Sequence, residues 1–164
     1  MIAIEPLSVR LLQHFKTVRL GALQDTPTAF SGTFLKESQL SDEDWLRRVS
    51  TWNGDRSVCY IAMDEDAPCG IIAGKFDEDD LQHAHVLSMW VAPAYRRTGL
   101  GARLVHAVQV WAQDLGADAL CLMVTSRNST AIRFYERCGF ALTGKTGPYP
   151  NDPAIFEYEM AKSL

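Results

Sequence analysis

The sequence predicts a single mixed α/β domain, and three observations carry that prediction. Short apolar runs of strand length alternate with segments whose apolar residues recur every three or four positions. The resulting order, β-α-α-β-β-β-α-β-α-β-β, contains no internal repeat and no linker. A chain of 164 residues has room for one well-buried core and is too short for two ordinary domains, so one domain is expected over residues 1–164.

Ile2–Pro6 reads as a short strand ended by its proline. Val9, Leu12, Phe15, Val18, Leu20 and Leu23 recur at helical spacing, with Ser8 as the expected N-cap and Asp25-Thr26-Pro27 as the stop. Thr28–Lys36, with two phenylalanines and a leucine around Gly32, is expected to be irregular or a short helix. Ser41-Asp42-Glu43-Asp44 fits a capping box ahead of Trp45, Leu46 and Val49, in a helix ending near Trp52-Asn53-Gly54. Ser57–Met63 and Cys69–Phe76 read as hairpin strands across the Asp64–Pro68 turn, and Asp77–Asp80 as a solvated acidic loop. His83–Val91 is the next strand. Leu100, Leu104, Val108, Trp111 and Leu115 mark one face of a helix stopped at Gly116. Ala119–Thr125 is a buried strand, Asn128–Arg137 a helix, and Phe140–Thr143 the start of a strand. Gly144–Pro153, rich in glycine and proline, is expected to be a loop before the final strand, Ile155–Met160.

Composition excludes several function classes. No run approaches the roughly 20 apolar residues that span a bilayer, and the N-terminus lacks the basic and apolar regions of a signal peptide. A net charge of −4 argues against nucleic acid as the main partner, because a phosphate backbone needs a basic face. Cys59, Cys69, Cys121 and Cys138 show no CxxC or Cys/His spacing and sit in apolar segments. They read as small buried hydrophobes in a reducing compartment, so a cytoplasmic location and no metal site are expected.

The chemistry concentrates in His85–Ala102. An apolar strand ends at Pro93, and Arg96-Arg97-Thr98-Gly99-Leu100-Gly101-Ala102 then runs into an amphipathic helix. The first amides of a helix lack intrahelical acceptors and carry the positive end of the dipole, and glycine lets an anion approach them. This predicts a pyrophosphate cradle. A Walker loop needs Gly-Lys-Ser/Thr, whereas Gly101 is followed by Ala102-Arg103. A dinucleotide fingerprint needs a third glycine in register near the first strand, and there is none.

Across nearly its whole length the chain resembles the GCN5-related N-acetyltransferase (GNAT) superfamily. Its acyl-CoA motif, Gln/Arg-x-x-Gly-x-Gly/Ala after a strand ending in Val-x-Pro, reads here Val91-Ala92-Pro93, then Arg96-Arg97-Thr98-Gly99-Leu100-Gly101. A second signature, Asn-x-x-Ala-x-x-Phe-Tyr-x-x-x-Gly-Phe, matches Asn128, Ala131, Phe134, Tyr135, Gly139 and Phe140. Arg97 stands where many members have glycine. The resemblance implies an α/β fold with a mixed, mostly antiparallel central sheet flanked by helices. It also implies transfer of the acetyl group of acetyl-CoA to a primary amine by direct attack in a ternary complex, without a metal.

The resemblance further implies roles residue by residue. Arg96, Arg97, Thr98, Gly99, Leu100, Gly101 and Ala102 surround the pyrophosphate, mostly through amides. Met89, Trp90 and Val91 offer unpaired backbone to the pantetheine arm, and an amide near Met89 polarises the thioester carbonyl. Tyr135 matches the acid that protonates the departing thiolate; by its residues alone it also reads as a core tyrosine. Asn128 caps its helix and contacts the cofactor. In histone-acetylating relatives a glutamate lies eleven residues before the loop motif; that position here is His85, a candidate base that also reads as a half-exposed strand histidine. Glu37 and Glu157 are further candidates, and many members use ordered water.

Within this reading the acceptor is a small-molecule amine, with Glu37, Glu43, Asp152 and Glu157 favouring a cationic one. A protein N-terminus or lysine is the runner-up. A non-catalytic acyl-CoA sensor would keep the loop and lose the thiolate acid, whereas Tyr135 is present. Family members often form homodimers, for which the last strands or exposed sheet edges are available.

Overall fold

A computed structural model describes all of residues 1–164, and seven strands make one sheet. The strands are β1 (Ile2–Pro6), β2 (Ser57–Asp64), β3 (Ala67–Phe76), β4 (His83–Val91), β5 (Ala119–Thr125), β6 (Ala141–Tyr149) and β7 (Asp152–Ser163). The helices are α1 (Leu12–Asp25), α2 (Phe34–Glu37), α3 (Asp42–Trp52), α4 (Leu100–Asp114) and α5 (Ser129–Arg137). The sheet order is β1-β2-β3-β4-β5-β7-β6, and only β4–β5 is parallel. The expected mixed, mostly antiparallel sheet is therefore present.

The alternation of side chains along each strand supplies a core on each face. Ile72, Ala84, Leu120 and Met160 pack with Leu104 and Val108 of α4 on one face. Cys59, Ile61 and Ile71 pack with Phe15 and Val18 of α1 and with Trp45 and Val49 of α3 on the other. The α3 capping box forms in both directions, Asp44 N–H to Ser41 Oγ at 3.1 Å and Ser41 N–H to Asp44 Oδ2 at 3.0 Å. Gly116, at φ +91°, follows the end of α4 as the sequence predicts.

Two expectations are corrected. Ser8 does not cap α1 with its hydroxyl: Val9–Leu11 forms a 3-10 turn first, Leu11 N–H donates to the Ser8 carbonyl, and Val9 is left 65% exposed. Gly144–Pro153 is mostly not a loop. β6 runs to Tyr149 and pairs with β7, with the turn confined to Pro150-Asn151. The strand tolerates its glycines and proline because it is the sheet edge: its pairing is irregular between Leu142 and Thr146, around Gly144 at φ +89°. Thr28–Lys36 resolves into a short 3-10 turn, Pro27–Ala29, and the beginning of α2, capped by Thr33.

What positions the site is a gap in this sheet. β4 and β5 are paired only at His83–Ala119, Ala84–Leu120 and His85–Cys121, and beyond that row they diverge. On its other side β4 bulges: Ser88 and Met89 together face Ile72, and Ser88 lies in the left-handed region at φ +56°.

Candidate active site

The loop after β4 is shaped for backbone contact. Pro93–Tyr95 forms a 3-10 turn, Arg97 has φ +64°, and Gly99 has φ +86° at the N-cap of α4. Gly99 has no side chain to occupy the first-turn amides, and no side-chain cap bonds to them. A Cβ added at Gly101 would lie 3.0 Å from Phe134 Cζ, so a larger residue would have to push the Phe134 ring aside where α4 meets α5. The chain thus supplies an amide cradle open to close approach, a feature that favours anions.

This cradle opens into a cleft of about 1050 Å³ between β4, α4 and α5. Met89, Trp90, Val91, Arg96, Arg97, Gly99, Gly101, Ala102, Asn128 and Tyr135 all line it. Thr98 and Leu100 do not: the Thr98 hydroxyl donates to the Tyr95 carbonyl, and the Leu100 side chain is 2% exposed in the core. Those two can offer only backbone. Arg96 is oriented by its own surroundings, Nε donating to Val91 O at 2.9 Å and Nη2 to Asp25 Oδ2. Bonds from Trp90, Arg96 and Thr26 hold the Asp25 carboxyl down at about 2. Asn128 caps α5 through its side chain, which accepts from Ala131 N–H at 3.1 Å, and lines the cleft as well.

A second cavity, about 480 Å³, lies on the other side of the strand gap. It carries Arg19, Lys75, Asp77, His85, Ser88, Thr125 and Glu157, and shares Phe30, Met89, Asn128 and Tyr135 with the cleft. Tyr135 therefore stands at the junction of the two. Burial, with a smaller contribution from Cys138, pushes its hydroxyl well above the ordinary tyrosine value, so it holds its proton at neutral pH. His85 shares a 2.9 Å hydrogen bond between Nε2 and Asp77 Oδ2. Glu37 is buried; burial alone would raise its pKa, but Arg19 and Arg48 outweigh this and hold it below the usual range. Burial raises the pKa of Glu157.

Several residues of the site escaped sequence reasoning. Arg19 lies one helical turn from Phe15 and from Leu23, an arginine on an apolar stripe, which was the available signal. Ser88 has no local signature for its bulge. Tyr149 Oη and Asn151 Nδ2 both donate to the Phe30 carbonyl, clasping the β6–β7 turn onto the segment that walls both cavities.

A family model described as the acetyltransferase (GNAT) family matches residues 21–140. The mycothiol acetyltransferase of Propionibacterium freudenreichii subsp. shermanii is 27% identical over 149 residues, 87% of this chain and 47% of that protein. N-alpha-acetyltransferase 20 of Dictyostelium discoideum is 29% identical over 103 residues, 60% of this chain and 57% of that protein. The chain spans about half the length of the curated relatives it matches. A GNAT-family acetyltransferase from Streptococcus pneumoniae shares the fold with a TM-score of 0.83 at 20% identity, covering 100% of this chain and 99% of that one. The PaiA N-acetyltransferase of Thermoplasma acidophilum, solved in complex with coenzyme A, gives 0.79 at 20% identity with the same coverage. The matched residues take in β4, its loop, α4 and α5, which are the walls of the cleft, and the chain belongs to the acetyltransferase (GNAT) family.

Proposed function

We propose that the protein is an acetyl-CoA-dependent N-acetyltransferase that modifies a primary amine of a small molecule by direct attack in a ternary complex. The observation that carries this reading is the position of Tyr135, protonated and shared by two separate cavities that meet through the gap between β4 and β5. Acetyl-CoA, when bound, supplies an activated acyl thioester and a thiol leaving group. The amides of Thr98–Ala102, with the side chains of Arg96 and Arg97, hold the pyrophosphate. The backbone of Met89–Val91, facing the gap, pairs with the pantetheine arm, and the Met89 amide donates to the carbonyl oxygen as charge develops there. Tyr135 donates its proton to the departing sulfur. His85, Asp77 and Glu157 are the cavity's groups able to accept a proton from the amine, and Asp77 and His85 are bonded to each other.

The clasp of Tyr149 and Asn151 on Phe30 supports a small acceptor, because it fixes in place a residue that walls both cavities. The test is thiol release from acetyl-CoA against a panel of amines and short peptides. Wild type should turn over at least one amine, and Tyr135→Phe should lose on the order of 10²–10⁴-fold in kcat. Binding of acetyl-CoA with no turnover of any acceptor would overturn the enzyme reading in favour of a sensor. Turnover confined to peptides would overturn the small-molecule acceptor.

A further inference from the structure

Three side chains named from the sequence as proton acceptors differ in what already holds them. Glu37 is fully engaged: Oε1 is 2.9 Å from Arg19 Nε and 2.6 Å from Arg48 Nη1, and Oε2 is 3.0 Å from Arg19 Nη2. It does not line the acceptor cavity. His85 has Nε2 on Asp77. Glu157 lines the cavity, is half-buried, and is perturbed by burial alone, with no hydrogen-bonding or charged partner. A desolvated carboxylate with no partner is costly unless a ligand supplies the missing cation.

The strand register separates Glu157 from His85 along the sheet. β5 pairs with both β4 and β7, so its residues mark common rows: Cys121 faces His85 on one side and Ala161 on the other, and Thr125 faces Glu157. Thr125 is four residues beyond Cys121, roughly 13 Å at about 3.3 Å per residue. The same four-residue climb on β4 leads from His85 to Met89, at the bulge. Glu157 therefore stands at the level of Met89, one strand beyond β5 on the far side of the gap, and both residues line the same cavity. His85 sits at the closed end, where β4 and β5 are still paired.

We propose that Glu157 is the group that takes the proton from the acceptor's ammonium, and that the acceptor is a cationic primary amine seated between Glu157 and Tyr135. The proposal rests on the transferase reading above. The ammonium gives one proton to the Glu157 carboxylate. The neutral nitrogen forms the C–N bond to the acetyl carbon as the thioester C–S bond breaks. The departing thiolate takes the Tyr135 proton, and the second proton leaving nitrogen restores that hydroxyl. Glu157 then releases its proton to water. The other titratable or charged groups facing the cavity are Arg19 from α1, Lys75 from β3, Asp77, His85 from β4 and Tyr135 from α5. Arg19 is balanced by Glu37, and Asp77 pairs with His85.

The test compares Glu157→Gln, Glu157→Asp and His85→Ala by pH–rate profile on the best amine of the panel, with acetyl-CoA affinity measured separately. Glu157→Gln should lose at least about 10²-fold in kcat at neutral pH and lose the acid limb of the profile, while acetyl-CoA affinity stays within about three-fold. Glu157→Asp should recover part of the rate, and His85→Ala should keep the acid limb where wild type has it. Near-wild-type turnover by Glu157→Gln, or an acid limb that moves with His85→Ala instead, overturns the proposal while the transferase reading stands. A wild type that turns over no amine overturns both.

Discussion

Arg19 Nη1 donates to Ser88 Oγ at 3.2 Å, tying helix α1 to the single β4 residue in the left-handed region. A side chain at that φ costs on the order of 1–2 kcal/mol, so the bulge persists because its surroundings hold it. Arg19 is itself immobilised by two bonds to the buried Glu37 and stands 5.2 Å from the centre of the Phe30 ring. The bulge that precedes Met89 thus depends on a tie from another element. Ser88→Ala removes the tie and leaves the Arg19–Glu37 pair intact. It should cost about 1 kcal/mol in stability and lower kcat several-fold, with little change in KM for acetyl-CoA. Steady-state kinetics with a melting curve checks this; an unchanged kcat would show that the bulge holds its shape without Arg19.

Arg97 lies in the left-handed region at φ +64°, a backbone conformation that glycine adopts without penalty. Arg97→Gly should relieve about 1–2 kcal/mol of backbone strain. Against this stands roughly 0.4–1 kcal/mol of added unfolded-chain entropy. The balance favours the variant, so denaturant unfolding should show a small net stabilisation. If Arg97 serves the phosphates, the same variant should raise KM for acetyl-CoA several-fold, and the increase should shrink at high salt.

The clasp on Phe30 can be loosened without touching Tyr135. Tyr149→Phe combined with Asn151→Ala leaves the Phe30 carbonyl without either side-chain donor. This should admit bulkier amines or short peptides while turnover of the smallest acceptor falls less than about three-fold. Competition between a small and a bulky amine reads the shift, and an unaltered preference would mean that the clasp does not bound the acceptor.

The donor side was legible in the sequence because it rests on contiguous residues. Gly99, Gly101 and the helix they open follow one another, and the second signature runs from Asn128 to Phe140 within one helix and its end. The acceptor side joins residues far apart in the chain, with Arg19 meeting Ser88 across 69 positions and Tyr149 meeting Phe30 across 119. No local pattern records such a meeting. His85 and Glu157 are both nameable from the sequence, but the β4–β5–β7 register on which the proposal for Glu157 rests is written in no local pattern. The β6–β7 hairpin departs from its local pattern for a related reason: glycine and proline signal a loop locally, whereas an edge strand with an irregular register accommodates both.

Asp25 ties the end of α1 to β4 and to the loop that follows it, accepting from Trp90 Nε1 at 3.0 Å and from Arg96. Its carboxyl is lowered from the usual 3.8 to about 2, first by Trp90 and then by Arg96 and Thr26. A lowered carboxyl stabilises the fold fully above its unfolded value, and that contribution disappears as pH falls through the folded one. Wild type should therefore lose stability between about pH 4 and pH 2 more steeply than Asp25→Asn, and the difference between the two should stop changing with pH below about pH 2. Subtracting the curves isolates Asp25 from Glu37, whose carboxyl is also lowered but is common to both proteins. At neutral pH, Asp25→Asn should also raise KM for acetyl-CoA, because Arg96 loses its ionic partner and its fixed direction toward the cleft. Melting curves that stay parallel from pH 6 to pH 2 would show that Asp25 is not linked to folding. An unchanged KM would show that Arg96 is directed by Val91 O alone.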